Sequence, residues 1–530
     1  MMRITNAMMT SNTKNNININ KLNEDRLNTQ VATGQLISRP SEDPVIAIRA
    51  LRLNTNLSQL NQYYKKNIPD AQAWMNVTVT ALKQTDQIFT NIKENLTTGA
   101  SDTNTANDRQ KILENLKGLR AELYSSGNAD YAERTVFTGY RTGESLTFLE
   151  TDTDLDSKYT IHETFDKNAV DTLNYVTCGT IEDPPGSGTE KTDETYVKEV
   201  PIFRIRMAYD GLKSDTPDGS IKLTAGTGAS AVSDSITVNT VSIKGLSQRA
   251  IDKIYQSVPA DKGILIPETG ELLLGSDAAS KYSKFFKDNS TKDPAPSASF
   301  EYDKDQWKSG DLRPEHYFAC QQTKKGETTP TYYNYDPKVD SSGKQIVPTE
   351  PDPTKPDFKN QDIEVEISFN QKITINTHAN EVYTHDIGRD VDELINITQA
   401  VVDADEKVRE IEKKIEAGTA TEKELAAAKK EYTFRKNRMQ KMFSAALDTF
   451  AGYQDRNNVA IANIGSMQSR LTITKERVAD QLQSFKELAD ANINAELTES
   501  SIDFSSAKLA LEAAQLAAGK IAQQTLLNYL

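Results

Sequence analysis

The sequence predicts an α + β protein, with long antiparallel coiled-coil helical arms from both termini and a β-rich inserted outer region between them. Two observations carry this prediction. Of 18 prolines, three (Pro40, Pro44 and Pro69) precede residue 141, none follows Pro356, and the other fifteen lie between Pro184 and Pro356. Proline removes a backbone donor and clashes inside a helix, so the ends are free to be long helices and the middle is not. The second observation is periodicity: apolar residues recur at alternating steps of three and four through both ends, and at steps of two through the middle.

Residues 1–43 read as an N-terminal helix and connector, closed by the turn Arg39-Pro40-Ser41-Glu42-Asp43-Pro44. Residues 44–140 read as a helical rod. Its stripe runs Ile46, Ala50, Leu53, Leu57, Leu60 and Tyr64, then Ile68, Ala71, Met75, Thr78, Leu82, Thr85, Phe89, Ile92 and Leu96. Pro69 predicts a kink or short break in this helix rather than its end. A second helix follows the polar stretch from Thr97 to Asn107, with Ile112, Leu116, Leu119 and Leu123 as its stripe.

Residues 141–388 form the β-rich region, of one or two domains. Tyr159–Phe165, Thr172–Cys178, Val200–Tyr209, Ser235–Ile243, Asp362–Phe369 and Ile373–Thr377 read as strands, and Leu246–Val258 and Ser276–Lys287 as short helices. Pro348 to Pro356, with proline at every second or third position, reads as an extended connector. Residues 389–490 mirror the first rod. Leu394, Ile397, Val401, Ala404, Val408, Ile411 and Ile415 lead to a turn at Ala417–Thr421, and Thr421 with Glu424 reads as a capping box closing a helical hairpin near 403–436. The stripe resumes at Met439, Phe443, Ala446, Phe450 and Tyr453, and again at Ile464, Leu471, Val478, Leu482 and Phe485. The predicted rod core is therefore Ile46, Leu53, Leu57, Leu60, Leu82, Phe89, Ile92, Leu394, Val401, Ile411, Phe443, Phe450, Leu482 and Phe485.

The last helix, within 491–530, poses a different problem. Phe504, Ala507, Leu511, Ala514, Ala518 and Ile521 form one stripe, and Leu509, Ala513, Leu516 and Leu527 a second. One partner helix covers one stripe. The opposite end of the chain offers Ile17, Ile19, Leu22, Leu27 and Val31; the area one partner helix leaves unmatched points to burial between copies, with packing onto the protein's own core as the alternative that spacing alone leaves open. Ile17, Leu22, Leu27, Leu509, Leu511, Leu516, Ile521 and Leu527 are the predicted subunit-interface residues.

Composition excludes most chemistry. Sixty-two basic against 76 acidic residues give a net charge of −14, which argues against phosphate-backbone binding, so no nucleic-acid partner is expected. Mean hydropathy is −0.60. No apolar run reaches the roughly 18–20 residues of a membrane span, so no membrane insertion is expected. The opening Met1–Thr10 runs into polar Ser11–Asn16 without an apolar core, so no cleaved signal peptide is expected. Four histidines and two cysteines (Cys178 and Cys320, which could pair) leave little for metal or thiolate chemistry. Asp152, Asp154, Asp156 and Glu163 partly match a calcium loop, but Ser157 replaces the turn glycine. His162-Glu163 lacks the second histidine of a zinc protease, and Gly226-Thr227-Gly228 lacks the lysine of a phosphate loop. Trp307, Tyr332, Tyr333 and Tyr335 read as core or turn aromatics sooner than as a sugar platform. No catalytic residue, cofactor or metal ligand is assigned, and an enzyme is not expected.

Several motifs resemble one family. Met2-Arg3-Ile4-Thr5-Asn6-Ala7-Met8-Met9, Thr33–Pro44 followed by Ala47–Leu53, and Val136-Phe137-Thr138-Gly139-Tyr140 are similar to the opening, first connector and arm exit of flagellin relatives that join hook to filament. Ala491–Leu497 and Leu526-Leu527-Asn528-Tyr529-Leu530 resemble the C-terminal end of the same family, and Ala379–Asp390 is also similar. The resemblance covers about residues 1–148 and 437–530; the large insert and the hairpin near 403–436 depart from it. It implies a structural subunit of the bacterial flagellum, extracellular and exported by the flagellar type III apparatus, assembling through its terminal helices. The implied partners are other copies in a ring, a hook-side junction protein, flagellin and an export chaperone. Two alternatives stay open: a filament flagellin, or an adhesin-type binding module in the middle region.

Overall fold

The computed structural model describes residues 6–182, 190–214, 219–226, 231–334, 338–339, 345–346 and 361–527, with side chains left undescribed at 6, 338–339, 345–346 and 521–527. The helices run α1 Asn6–Thr33, α2 Pro44–Gln62, α3 Ile68–Gly99, α4 Ala106–Glu122, α5 Gln248–Gln256, α6 Ser276–Asp288, α7 Ala379–Val382, α8 His385–Glu416, α9 Glu422–Ile493 and α10 Leu497–Leu527. At ~1.5 Å per residue the 72 residues of α9 extend about 108 Å. The chain forms two compact units. One comprises residues up to Gln72, Val365–Ile373 and the chain from Gln468; the other comprises Ala73–Glu364 and Thr374–Met467. Both α3 and α9 contribute to each.

In the first unit, Asp43 caps α2 by accepting from the Val45 and Ile46 amides at 2.9 and 3.1 Å, and Pro44 supplies a first-turn φ that needs no donor. The break expected at Pro69 lies just before it. Tyr63–Asn67 is a turn of π-helix, in which the Ile68 amide reaches back to the Tyr63 carbonyl. Proline has no amide to give and its ring crowds the carbonyl four residues earlier; the wider turn accommodates both without ending the helix. Tyr63 is held by the segment 365–373, with its hydroxyl donating to Glu366 Oε1 at 2.9 Å and its ring edge-on to Phe369 at 5.7 Å. The α2–α9 pairing is antiparallel: Asn492 Nδ2 donates to the Ile46 carbonyl at 3.3 Å, and Lys475 lies over the Tyr64 ring. Leu60, Ile68, Ala71, Leu471 and Val478 are buried, while Ile46, Leu53, Leu57, Leu482 and Phe485 are half-buried.

In the second unit, α3 and α9 also run antiparallel. Asn457 Nδ2 donates to the Leu82 carbonyl at 2.9 Å, Gln454 Nε2 donates to Asp86 at 2.8 Å, and Phe89 meets Phe450 and Tyr453 with ring centroids 6.4 and 6.5 Å apart. A Cβ on Gly99 would collide with the Phe443 ring, so a side chain at that position would force the ring to move. Leu82, Phe89, Ile92, Leu394, Val401, Phe443 and Phe450 are buried, and Ile411 is half-buried toward the tip of the α8–α9 hairpin. Thr421 and Glu424 form the expected reciprocal cap, at 2.8 and 3.4 Å.

The β region centres on a ten-stranded sheet in the order Thr331–Tyr333, Ala319–Thr323, Lys158–Phe165, Ser297–Lys304, Gly219–Ala225, Val232–Thr240, Gly263–Ile266, Glu271–Leu274, Glu199–Arg206 and Val170–Val176. Pairing is antiparallel except between Val232–Thr240 and Gly263–Ile266. Sequence reading passed over several of these strands. Gly263–Ile266 and Glu271–Leu274 are almost wholly buried, so they lack the alternation that marks a half-exposed strand. Ser297–Lys304 does alternate, burying Ala298, Phe300, Tyr302 and Lys304, but small and charged residues at its ends hid the signal.

Strand Glu199–Arg206, second from one edge of this sheet, meets α8 through charge. Arg204 pairs with Glu271 and Glu393, both at 2.6 Å; Arg206 pairs with Glu393 at 3.0 Å and with Asp390. Tyr453 on α9 donates to the second oxygen of Asp390 at 2.6 Å. Burial pushes the Glu393 carboxyl up, but the two guanidiniums outweigh it and hold its pKa below 4.5.

Two predictions follow from this packing. Phe450→Ala should cost about 3–5 kcal/mol, seen as a shifted urea midpoint for the second unit. Because Glu393 has a depressed folded pKa, its contribution is present above pH ~4.5 and lost as pH falls through the folded value. Thermal midpoints should therefore drop on acidification, and Glu393→Gln, already weaker at pH 7, should show a shallower acid slope.

Candidate assembly surface

Helices α1 and α10 pack against each other, and a short bridge fixes their starting points. Gly34, at φ +70°, ends α1 with its amide on the Gln30 carbonyl at 2.8 Å. The Leu36 amide then donates to the Ile493 carbonyl at 2.7 Å, and the Ala495 amide to the Gly34 carbonyl at 2.9 Å. Gln30 Nε2 closes the corner on the Leu36 carbonyl at 2.7 Å.

This pairing divides the eight predicted interface residues. On α1 the inward positions are Thr13, Ile17, Asn20, Glu24, Leu27 and Val31, stepping by threes and fours. Leu27 is 6% exposed and Ile17 half-buried. On α10 the stripe Phe504, Ala507, Leu511, Ala514 and Ala518 turns inward, with Leu511 at 8% exposure. Leu27 and Leu511 are therefore taken up inside the chain rather than offered to another copy. The second stripe stays uncovered: Leu509 is 66% and Leu516 71% exposed, and Ile502 and Ala513 share that face. Leu22 on α1 is 70% exposed. The side chains of Ile521 and Leu527 lie outside the described residues.

Val45, Ile48 and Leu51 form an exposed apolar face on α2 that sequence reading missed, because they fall off the heptad seam. Three residues spaced by three are visible in the sequence once the seam is subtracted. Ile473 and Leu488 on α9 are similarly exposed. A groove of 630 Å³ is lined by Leu22 and Phe504 together with the charged Lys21, Glu24 and Asp25. These are the features of a protein–protein surface: apolar centres bordered by charge.

The residues weighed for chemistry are spent elsewhere. Asp152 and Asp154 both take Arg313, at 2.7 and 2.8 Å, Asp156 takes Lys325, and Glu163 is buried in a strand accepting from the Ala208 amide and the Tyr302 hydroxyl. The calcium-loop spacing thus resolves into separate partners. His162 pairs with Glu301 and His378 with Asp362, both at 2.9 Å, while His385 lies 5.3 Å from the Phe318 ring. Cys178 and Cys320 are both free and buried, and burial pushes the Cys178 thiol up to about 11. Trp307 is core: it stacks on Phe148 at 4.7 Å, meets Tyr159 and Tyr209 edge-on, and donates to the Ser157 carbonyl. Tyr333 is half-buried under Arg141, Tyr332 is exposed at the sheet edge, and Tyr335 lies outside the described residues. Among the described residues no helix is long and apolar enough to cross a membrane.

The bacterial flagellin N-terminal helical region matches residues 4–142. Flagellar hook-associated protein 3 of Salmonella typhimurium is 25% identical over 202 residues, covering 36% of this chain and 62% of that protein. Flagellar hook-associated protein 3 of Escherichia coli is 27% identical over 150 residues, covering 28% and 47%. The matched stretches thus span between about half and three fifths of these relatives. The solved FlgL of Xanthomonas campestris covers 83% of this chain and 99% of its own, at 10% identity and a TM-score of 0.30. The resemblance read from the terminal motifs thus has its counterpart in these matches: residues 4–142 are similar to the flagellin N-terminal helical region, and part of the chain is similar to the two hook-associated proteins.

Proposed function

We propose that this chain is a structural subunit of the bacterial flagellum that joins hook to filament, assembling through its terminal helices and performing no catalysis. One observation carries the reading: α10 buries the Leu511 stripe against α1 yet leaves Leu509 and Leu516 in water. Covering a leucine side chain is worth about 1.5–3 kcal/mol, so repeated contacts between copies in a ring supply a large driving force. The similarity to hook-associated protein 3 of two bacteria supports the junction position over a filament flagellin. The partners are then further copies of the chain, a hook-side junction protein and flagellin, with a chaperone holding the apolar end during type III export to the cell exterior. The mechanism is mechanical. Long antiparallel helices carry load, and the apolar faces of the ends order subunits against neighbours.

Leu509→Glu and Leu516→Glu together should leave circular dichroism and the thermal midpoint unchanged, because both side chains are already exposed. Export should persist, yet cells should lose attached filaments and motility. Motile cells carrying the double variant would overturn the assembly reading. Quantitative mass spectrometry of purified flagella separates the alternatives: a copy number far below that of the filament subunit supports a junction, and parity with it supports a flagellin.

A further inference from the structure

Two segments of the second unit cross at the neck of the β region. Residues 141–148 lead out and 311–318 come back: Thr147 bridges Leu312, the Phe148 amide donates to the Asp311 carbonyl at 2.9 Å, and the Arg313 amide donates to the Leu146 carbonyl at 3.0 Å. At this crossing Glu144, Glu315 and His316 bring one potential ligand atom each to within 4.8 Å of one another.

The surroundings indicate more than chance proximity. Glu315 is 1% exposed; its Oε1 faces Arg313 at 3.3 Å, while its Oε2 is buried with no hydrogen-bond partner. A buried carboxylate oxygen without a partner carries a cost that a bound cation removes. His316 is also buried, and its Nε2 lies 3.1 Å from the Ser145 carbonyl, which fixes the ring as carbonyl partners fix metal-binding imidazoles. Charge is consistent as well. Asp152 and Asp154 bind Arg313, and Arg141 donates to the Glu315 carbonyl and to Asn334. Four carboxylates (Asp152, Asp154, Glu144 and Glu315) against two guanidiniums (Arg141 and Arg313) leave two negative charges, which a dication neutralises.

The geometry points to a zinc site in which Glu144, Glu315 and His316 hold one ion, with a fourth position open to water, tying the outgoing segment to the returning one. Two carboxylates and an imidazole are an N/O donor set for zinc; calcium asks for six to eight oxygens, and magnesium for an octahedron of oxygens. This inference does not depend on the flagellar reading.

The test uses the full chain, stripped with a chelator and titrated calorimetrically with zinc chloride, calcium chloride serving as the comparison. One zinc per chain is expected, with a raised thermal midpoint and no comparable response to calcium. Glu144→Gln changes an exposed residue and keeps the fold; it should weaken zinc at least ten-fold. Cobalt as a probe should give visible d–d absorption that His316→Asn alters. Absence of zinc binding by the unmodified chain would overturn the site, as would full affinity in Glu144→Gln or a cobalt spectrum indifferent to His316.

Discussion

Long amphipathic helices do not stand alone in water, and the architecture answers that constraint. Among the described residues, the long helices pair antiparallel within each unit: α2 with α9 and α1 with α10 in the first, α3 with α9 in the second. The contacts are of two kinds. Apolar residues such as Phe89 and Phe450 supply the burial, and amides such as Asn457 on the Leu82 carbonyl and Asn492 on the Ile46 carbonyl fix the register. Burial alone is non-directional and would let the helices slide; a buried hydrogen bond penalises sliding because it must be broken to do so.

The sheet joins the helices by a different rule. Arg204 and Arg206 carry their charge into a largely buried seam and meet Glu393, Asp390 and Glu271 there. Removing one member would strand the others in low dielectric, which makes the arrangement specific. A hydrophobic seam would tolerate a shift by one turn of α8; a set of paired guanidiniums and carboxylates does not.

Much of this was legible in the sequence because long helices write a simple code. The stripes through Leu60, Phe89, Val401 and Phe450, the Thr421 cap and the two faces of α10 were readable from spacing alone. The sheet was less so. Gly263–Ile266 and Glu271–Leu274 are buried on both sides and carry no period, and the parallel pairing beside them depends on contacts distant in sequence. Leu27 and Leu511, read as subunit-interface residues, lie on the stripe that α1 and α10 bury between them; spacing does not rank two apolar faces of one helix. Glu144, Glu315 and His316 were invisible as a group, since one member lies 171 residues from its nearest companion in the chain.

The π-turn at Tyr63–Asn67 has a further consequence. It lodges an additional amino acid in the spiral, so Ile68 and Ala71, just beyond it in the same unit, are rotated by roughly 100° relative to an unbroken α-helix. Excising a single position there would yield a regular turn with the wrong phase: Ile68 and Ala71, both buried, would swing out of the core of the first unit. The irregularity behaves as a vernier, a small offset that sets the angular alignment of the residues that follow it within the first unit.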